Sequence, residues 1–103
     1  MNEASFYRCL ADGTRLAVLH HLAREGPASV SQLADATDQE QSNLSHHLAE
    51  LRDCGLAVAD REGKRRLYRL AHPRLADLLE EGAWLVDHIE ASDPEACRAE
   101  GCC

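Results

Sequence analysis

Apolar residues recur at helical spacing through the first half of the chain, then change period. Phe6, Cys9 and Leu10 share one side of a segment from Met1 to Ala11, which predicts a short first helix. Asp12 is placed to cap a second helix over about Thr14–Glu25, where Leu16, Leu19, Leu22 and Ala23 repeat along one face. Gly26-Pro27 ends it. Ser29-Val-Ser-Gln32 fits a capping box and opens a third helix over roughly residues 30–36. Asp38 is expected to cap a fourth helix that runs to about Asp53, with Leu44, Leu48 and Leu51 as its inward stripe and Gly55 as its stop.

"LAVADREGKRRLYRL" then reads as two short strands around Glu62-Gly63, a hairpin closed by a glycine-containing turn. Pro73 opens a last helix over about Arg74–Ala91, striped by Leu75, Leu78, Leu79, Gly82, Leu85, Val86 and Ile89, and Pro94 closes it. The order is α-α-α-α-β-β-α. Residues 1–92 form one domain of ordinary size, and residues 93–103 form a cysteine-containing tail.

Two short helices joined at Thr37-Asp38 and followed by a hairpin describe a winged helix-turn-helix. On the fourth helix Ser42, Ser45, His46, Ala49 and Arg52 share the side opposite the leucines. These side chains are small or hydrogen-bonding, no carboxylate lies among them, and such a face can approach base edges in a major groove.

Charge sharpens this picture. The 103-residue chain carries a formal net charge of −7, which alone argues against a nucleic-acid partner. Its distribution argues the reverse. Residues 61–74 hold Arg61, Lys64, Arg65, Arg66, Arg69 and Arg74 against Glu62 alone, the footprint of a phosphate-binding edge. The acidic excess sits in residues 75–103, where Arg98 stands against eight carboxylates. The last helix carries apolar positions, Trp84 included, around more than half its circumference. One small domain cannot cover them, so a twofold homodimer is expected. It would set two recognition helices about one DNA turn, roughly 34 Å, apart on an imperfect inverted repeat.

"QSNLSHHLAELRDCGLA" (Gln41–Ala57), "LADGTRLAVLHHL" (Leu10–Leu22) and "REGKRRLYRL" together resemble the ArsR/SmtB repressors over roughly residues 6–90, with Gly13 where that family usually has proline. The resemblance implies a homodimeric winged-helix repressor whose first and last helices form the dimer interface and whose operator is released by an inducer. It places DNA contacts on Gln41, Ser42, Ser45 and His46, and wing contacts on Arg61, Lys64, Arg65 and Arg66. Hydroxyl, amide and imidazole groups suit base reading, while Arg and Lys set affinity and its salt dependence. Arg52, on the same outward face, joins this set.

The inducer site must come from the residues. The family's zinc-type positions correspond to His72, Arg74, Leu85 and His88, two of which cannot ligate. Its arsenic motif on the third helix corresponds to "ASVSQLADA", which has no cysteine. Three thiols remain within seven residues at the C-terminus: Cys97, Cys102 and Cys103. Trigonal thiolate coordination suits As(III), Sb(III), Cd(II) or Pb(II), because soft ions prefer sulfur. Cys54 is a further candidate: it matches one of two cysteines in a cadmium/lead-sensing branch, although Glu50 stands where the other would be.

No stretch is long and apolar enough to span a bilayer, and "MNEASFYR" lacks a signal-peptide core. A cytoplasmic location follows, where the five cysteines are expected to stay reduced. Cys9 then reads as a small buried hydrophobe, and Cys54 read structurally does the same. A redox-responsive repressor of the same fold, pairing Cys97 with Cys102 or Cys103, is the alternative. An enzyme is not expected, since the sequence offers no nucleotide loop, no plausible Ser-His-Asp order and no carboxylate pair in a predicted cleft. A metal-buffering protein would not need the basic hairpin.

Overall fold

The structure is a computed structural model and describes residues 1–89. Five helices and three strands follow one another as α1 (Glu3–Leu10), α2 (Gly13–Glu25), β1 (Ala28–Ser29), α3 (Val30–Thr37), α4 (Gln41–Asp53), β2 (Ala57–Glu62), β3 (Arg65–Leu70) and α5 (Arg74–His88). This is the winged helix-turn-helix that the sequence pattern predicts.

Local chemistry sets most of the helix ends. Asn2 opens α1, its side chain accepting from the backbone N–H of Ser5 at 2.9 Å, so the helix starts after Met1. Asp12 caps α2 as expected, Oδ2 accepting from the Arg15 N–H at 3.0 Å. The Ser29–Gln32 capping box is present in both directions. Asp38 departs from expectation. It is the left-handed residue that ends α3 (φ 54°), and Glu40 precedes α4 without a side-chain cap. Asp tolerates the left-handed region better than most residues, so the same side chain serves a helix stop as readily as a start.

The end of α4 is a Schellman motif. Gly55 takes φ 79°, its N–H reaches the Arg52 carbonyl at 3.0 Å, and the Leu56 N–H reaches the Leu51 carbonyl at 2.9 Å. Leu51 and Leu56 are both buried, supplying the apolar contact such a motif brings together. Cys54 is thereby fixed as the C-cap residue, between recognition helix and wing.

The sheet has strand order β1-β3-β2, both pairs antiparallel. The hairpin turns through Gly63-Lys64, with positive φ at Gly63 only, as a II′ turn requires. Strand β1 was not expected. Its two residues pair with Leu67 and Tyr68, tying the start of α3 to the base of the wing. The core lies where α2, α3, α4 and the sheet meet: Val18, Leu19, Leu33, Leu44, Leu48 and Leu51 are fully buried. Along α5 only Leu75 and Leu79 are buried. Trp84, Val86 and Ile89 remain 54%, 78% and 63% exposed, on a helix that ends at His88 rather than Ala91.

Candidate nucleic-acid interface and thiol pair

Helix α4 turns its two faces as its pattern requires. Leu44, Leu48 and Leu51 are fully buried, while Gln41, Ser42, Ser45, His46 and Arg52 are exposed. The buried stripe packs on α2 and α3, so the polar face is held on a rigid core.

A polar network fastens that face from behind. Arg15 of α2 is paired with Glu50 of α4, and the other oxygen of Glu50 lies 3.0 Å from His46 Nε2. Glu50, one helical turn beyond His46, therefore borders a face that the sequence reads as free of carboxylates. Asp12 and His47 complete the network. His47 Nδ1 is 3.4 Å from Arg15 Nε and 3.7 Å from Asp12 Oδ2. When neutral it accepts from the guanidinium; when protonated it pairs with the carboxylate. The Asp12 carboxyl is held below its ordinary value chiefly by the Arg15 backbone N–H, with help from the charges of His47 and Arg15 against partial burial.

The wing carries an unusual pairing. Arg61 stands directly opposite Arg66 across the hairpin, while Glu62 faces Arg65. Like charges directly opposed cost roughly 0.2–1 kcal/mol, so the Arg61–Arg66 pair is unfavourable until an anion arrives. Arg65 also leans on the Gln32 side chain at 3.4 Å, and Arg69 is paired with Asp60 at 2.6 Å. Arg61, Lys64 and Arg66 have no carboxylate in ion-pairing range among the described residues, and all three are exposed.

The cysteines depart from expectation. Cys9, at the end of α1, and Cys54, at the end of α4, are joined by a disulfide with their Cα atoms 6.7 Å apart. Both are half-buried, and they are not two independent reduced side chains as the sequence suggests. Their separation of 45 residues leaves no local signal, since neither lies in a paired-cysteine motif. Cys97, Cys102 and Cys103 lie outside the described residues. Among the described residues, no group of three or more His, Cys, Asp or Glu side chains is placed to hold a metal. The zinc-type positions are engaged elsewhere: His72 Nδ1 accepts from the Arg74 N–H at 3.1 Å, and His88 stacks on Trp84 at 4.0 Å.

Comparison with known proteins places this geometry. Residues 12–58 match the family model described as "Bacterial regulatory protein, arsR family". The arsenic resistance transcriptional regulator ArsR1 of Pseudomonas putida is 41% identical over 96 residues, covering 89% of this chain and 73% of the relative. The homodimeric winged helix-turn-helix DNA-binding domain of a possible ArsR-family regulator from Mycobacterium bovis superposes with a TM-score of 0.74 at 35% identity, covering 84% of this chain and 81% of that one. The cadmium sensor CMTR of Mycobacterium tuberculosis gives 0.71 at 40% identity, covering 88% and 94%.

Proposed function

The chain belongs to the arsR family of bacterial regulatory proteins, and from that premise we propose that it is a DNA-binding repressor released from its operator by a thiophilic metal or metalloid ion. The observation that carries the DNA-binding half is the wing. A hairpin that opposes Arg61 to Arg66 and gives Lys64 no carboxylate partner among the described residues keeps its charge available for phosphates. This lets a chain of net charge −7 bind DNA, because the basic edge is segregated from the acidic C-terminal third. Beside the wing, Gln41, Ser42, Ser45 and His46 read base edges while Arg52 contacts the backbone at the far end of α4. The Arg15–Glu50 pair orients His46 for that task.

The functional unit is a homodimer. The exposed apolar residues of α5, with Tyr7 of α1 nearby, supply a self-complementary surface. Dimerisation puts the two α4 helices on successive major grooves of an imperfect inverted repeat. Among the described residues no helix is long and apolar enough to cross a membrane, which agrees with work in the cytoplasm.

The inducer is a soft ion, As(III) or Sb(III), or Cd(II) or Pb(II), taken by the thiolates of Cys97, Cys102 and Cys103, with Cys54 as a further donor at the recognition helix once its bond to Cys9 is reduced. Each thiol must ionise to bind, so uptake releases protons. The ion acts only insofar as it binds the off-DNA geometry better than the operator-bound one. Footprinting on a palindromic fragment, then titration with each ion, tests the proposal. Protection of an inverted repeat that is lost on adding one of these ions is the expected result. Binding without sequence preference, or a complex indifferent to all four ions, would overturn it.

A further inference from the structure

A carboxylate beside a DNA-reading face repels phosphates, so Glu50 weakens binding to every DNA sequence alike. We propose that Glu50 is a specificity-determining residue: it fixes the tautomer with which His46 meets a base edge, and it holds down affinity for DNA of any other sequence. The inference rests on the assignment of His46 to base reading and adds which atom reads and what it reads.

Three observations carry it. The first is the hydrogen bond itself. Glu50 Oε1 lies 3.0 Å from His46 Nε2, one helical turn away on the same helix. An ionised carboxylate only accepts, so Nε2 carries the hydrogen and donates it. With the ring neutral, Nδ1 is then left as an acceptor. The His46 side chain is 71% exposed, which leaves the ring open to a partner from outside.

The second is anchorage. A glutamate alone on a helix surface samples several rotamers, but the second oxygen of Glu50 is paired with Arg15 of α2. Arg15 is itself held: its side chain is only 17% exposed, Nη1 reaches the Cys9 carbonyl at 3.5 Å, and Nε reaches His47 Nδ1 at 3.4 Å. Groups on α1, α2 and α4 thus fix the carboxylate that fixes the imidazole. The same pairing neutralises the guanidinium, which would otherwise add an attraction for any phosphate.

The third is the chemistry of the neighbours. Gln41, Ser42 and Ser45 are exposed on the same helix, and each can donate or accept: a hydroxyl rotates to suit its partner, and an amide carries both functions. His46 alone among these four is made single-valued, by a bond to another residue. An acceptor at Nδ1 demands a donor on the base, which in the major groove is the exocyclic amine of adenine or cytosine. Guanine offers only acceptors there and is refused.

The test combines a spectrum with a binding scan on the full chain. Ring-nitrogen NMR of the unaltered protein at alkaline pH should show His46 protonated at Nε2 and bare at Nδ1, a reading that needs no substitution and no DNA. In Glu50→Gln the amide can accept or donate, so both tautomers should appear. Base pairs of the operator are then exchanged one at a time in one half-site. Glu50→Gln should shrink the penalty at the position under His46 by roughly 2–12-fold, the worth of one neutral hydrogen bond, and leave the penalties elsewhere unchanged. Affinity for unrelated DNA should rise by roughly 1.5–5-fold per subunit, the range of one partly exposed charge interaction. In a His46→Ala background Glu50→Gln should no longer alter any penalty, because Glu50 acts through the ring. A proton on Nδ1 in the unaltered protein would overturn the inference. So would a loss of discrimination spread evenly along the operator, which is what loosened packing would give, or a penalty change that persists without His46. An unaltered protein that prefers no sequence would overturn the DNA-reading assignment together with this one, whereas those three results with a sequence-specific protein overturn this one alone.

Discussion

Replacing Arg66 by Gln should move fold stability and DNA affinity in opposite directions. Arg66 faces Arg61 across the hairpin in an exposed position, with no carboxylate partner among the described residues. Removing one of two directly opposed like charges should stabilise the free protein by about 0.2–1 kcal/mol at low salt. The gain should fade as ionic strength shortens the screening length. On DNA the same change removes one phosphate contact per subunit, two per dimer. Each contact contributes about 0.9 to the slope of log K against log salt, so the slope should flatten by about 1.8. Between 50 and 200 mM salt, a fourfold range, that is about a twelvefold smaller loss of affinity than the unaltered protein suffers. Urea unfolding at two salt concentrations gives the first quantity, and fluorescence anisotropy on an operator fragment across a KCl series gives the second. An unchanged salt slope would refute the assignment of Arg66 to a phosphate. A destabilised free protein would refute the account of the wing as a charge pair awaiting an anion.

Leu48, fully buried between recognition helix and core, should cost about 2.7–5.0 kcal/mol when replaced by Ala, read from urea midpoints; a loss well below this range would mean the site collapses around the cavity. Asp12→Ala should cost about 1 kcal/mol through loss of the α2 cap. Because the Asp12 carboxyl is held below its ordinary value of 3.8, its contribution is present above that value and disappears as the pH falls through the lower folded-state value. Asp12→Asn should therefore flatten the acid limb of the stability–pH curve, and an unaltered limb would place the acid sensitivity elsewhere. Opening the Cys9–Cys54 bond, which closes a loop of 45 residues, should lower stability by about 4 kcal/mol on the chain-entropy model. Coincident unfolding curves for oxidised and reduced protein would show that the bond does not constrain the unfolded chain.

Much of the fold is written in local signals. The leucine spacing of α4, the caps at Asp12 and Ser29, and the turn at Gly63 each act within a few residues, and each is where the sequence places it. What escaped local reading depends on distant partners. Strand β1 exists only because Ala28 and Ser29 pair with Tyr68 and Leu67, some forty residues on. Asp38 carries the same side chain whether it starts α4 or ends α3, and packing decides for the second.

The outward face of α4 and the exposed basic tip of the wing were legible because helix and strand periods fix which side a residue faces. The pairing of Glu50 with Arg15 was not, because it joins two helices, although Glu50 itself lies one turn from His46 on the same helix. The same holds for the bond between Cys9, which sequence alone offers as an apolar filler, and Cys54, which it offers as a filler or an ion ligand. Trp84, Val86 and Ile89 are apolar yet exposed in the single chain, the surface that the proposed homodimer would cover.

The proposed function requires coupling between operator DNA and a soft ion. Anisotropy of a labelled inverted repeat, followed while As(III), Sb(III), Cd(II) or Pb(II) is added to the reduced dimer, measures that coupling directly. At least one of these ions should weaken operator binding by roughly 5–150-fold, the usual range for coupled sites. Replacing Cys102 and Cys103 by Ser should abolish the response while leaving ion-free binding intact. Operator affinity that stays constant through saturation with every one of these ions would contradict the account at its centre.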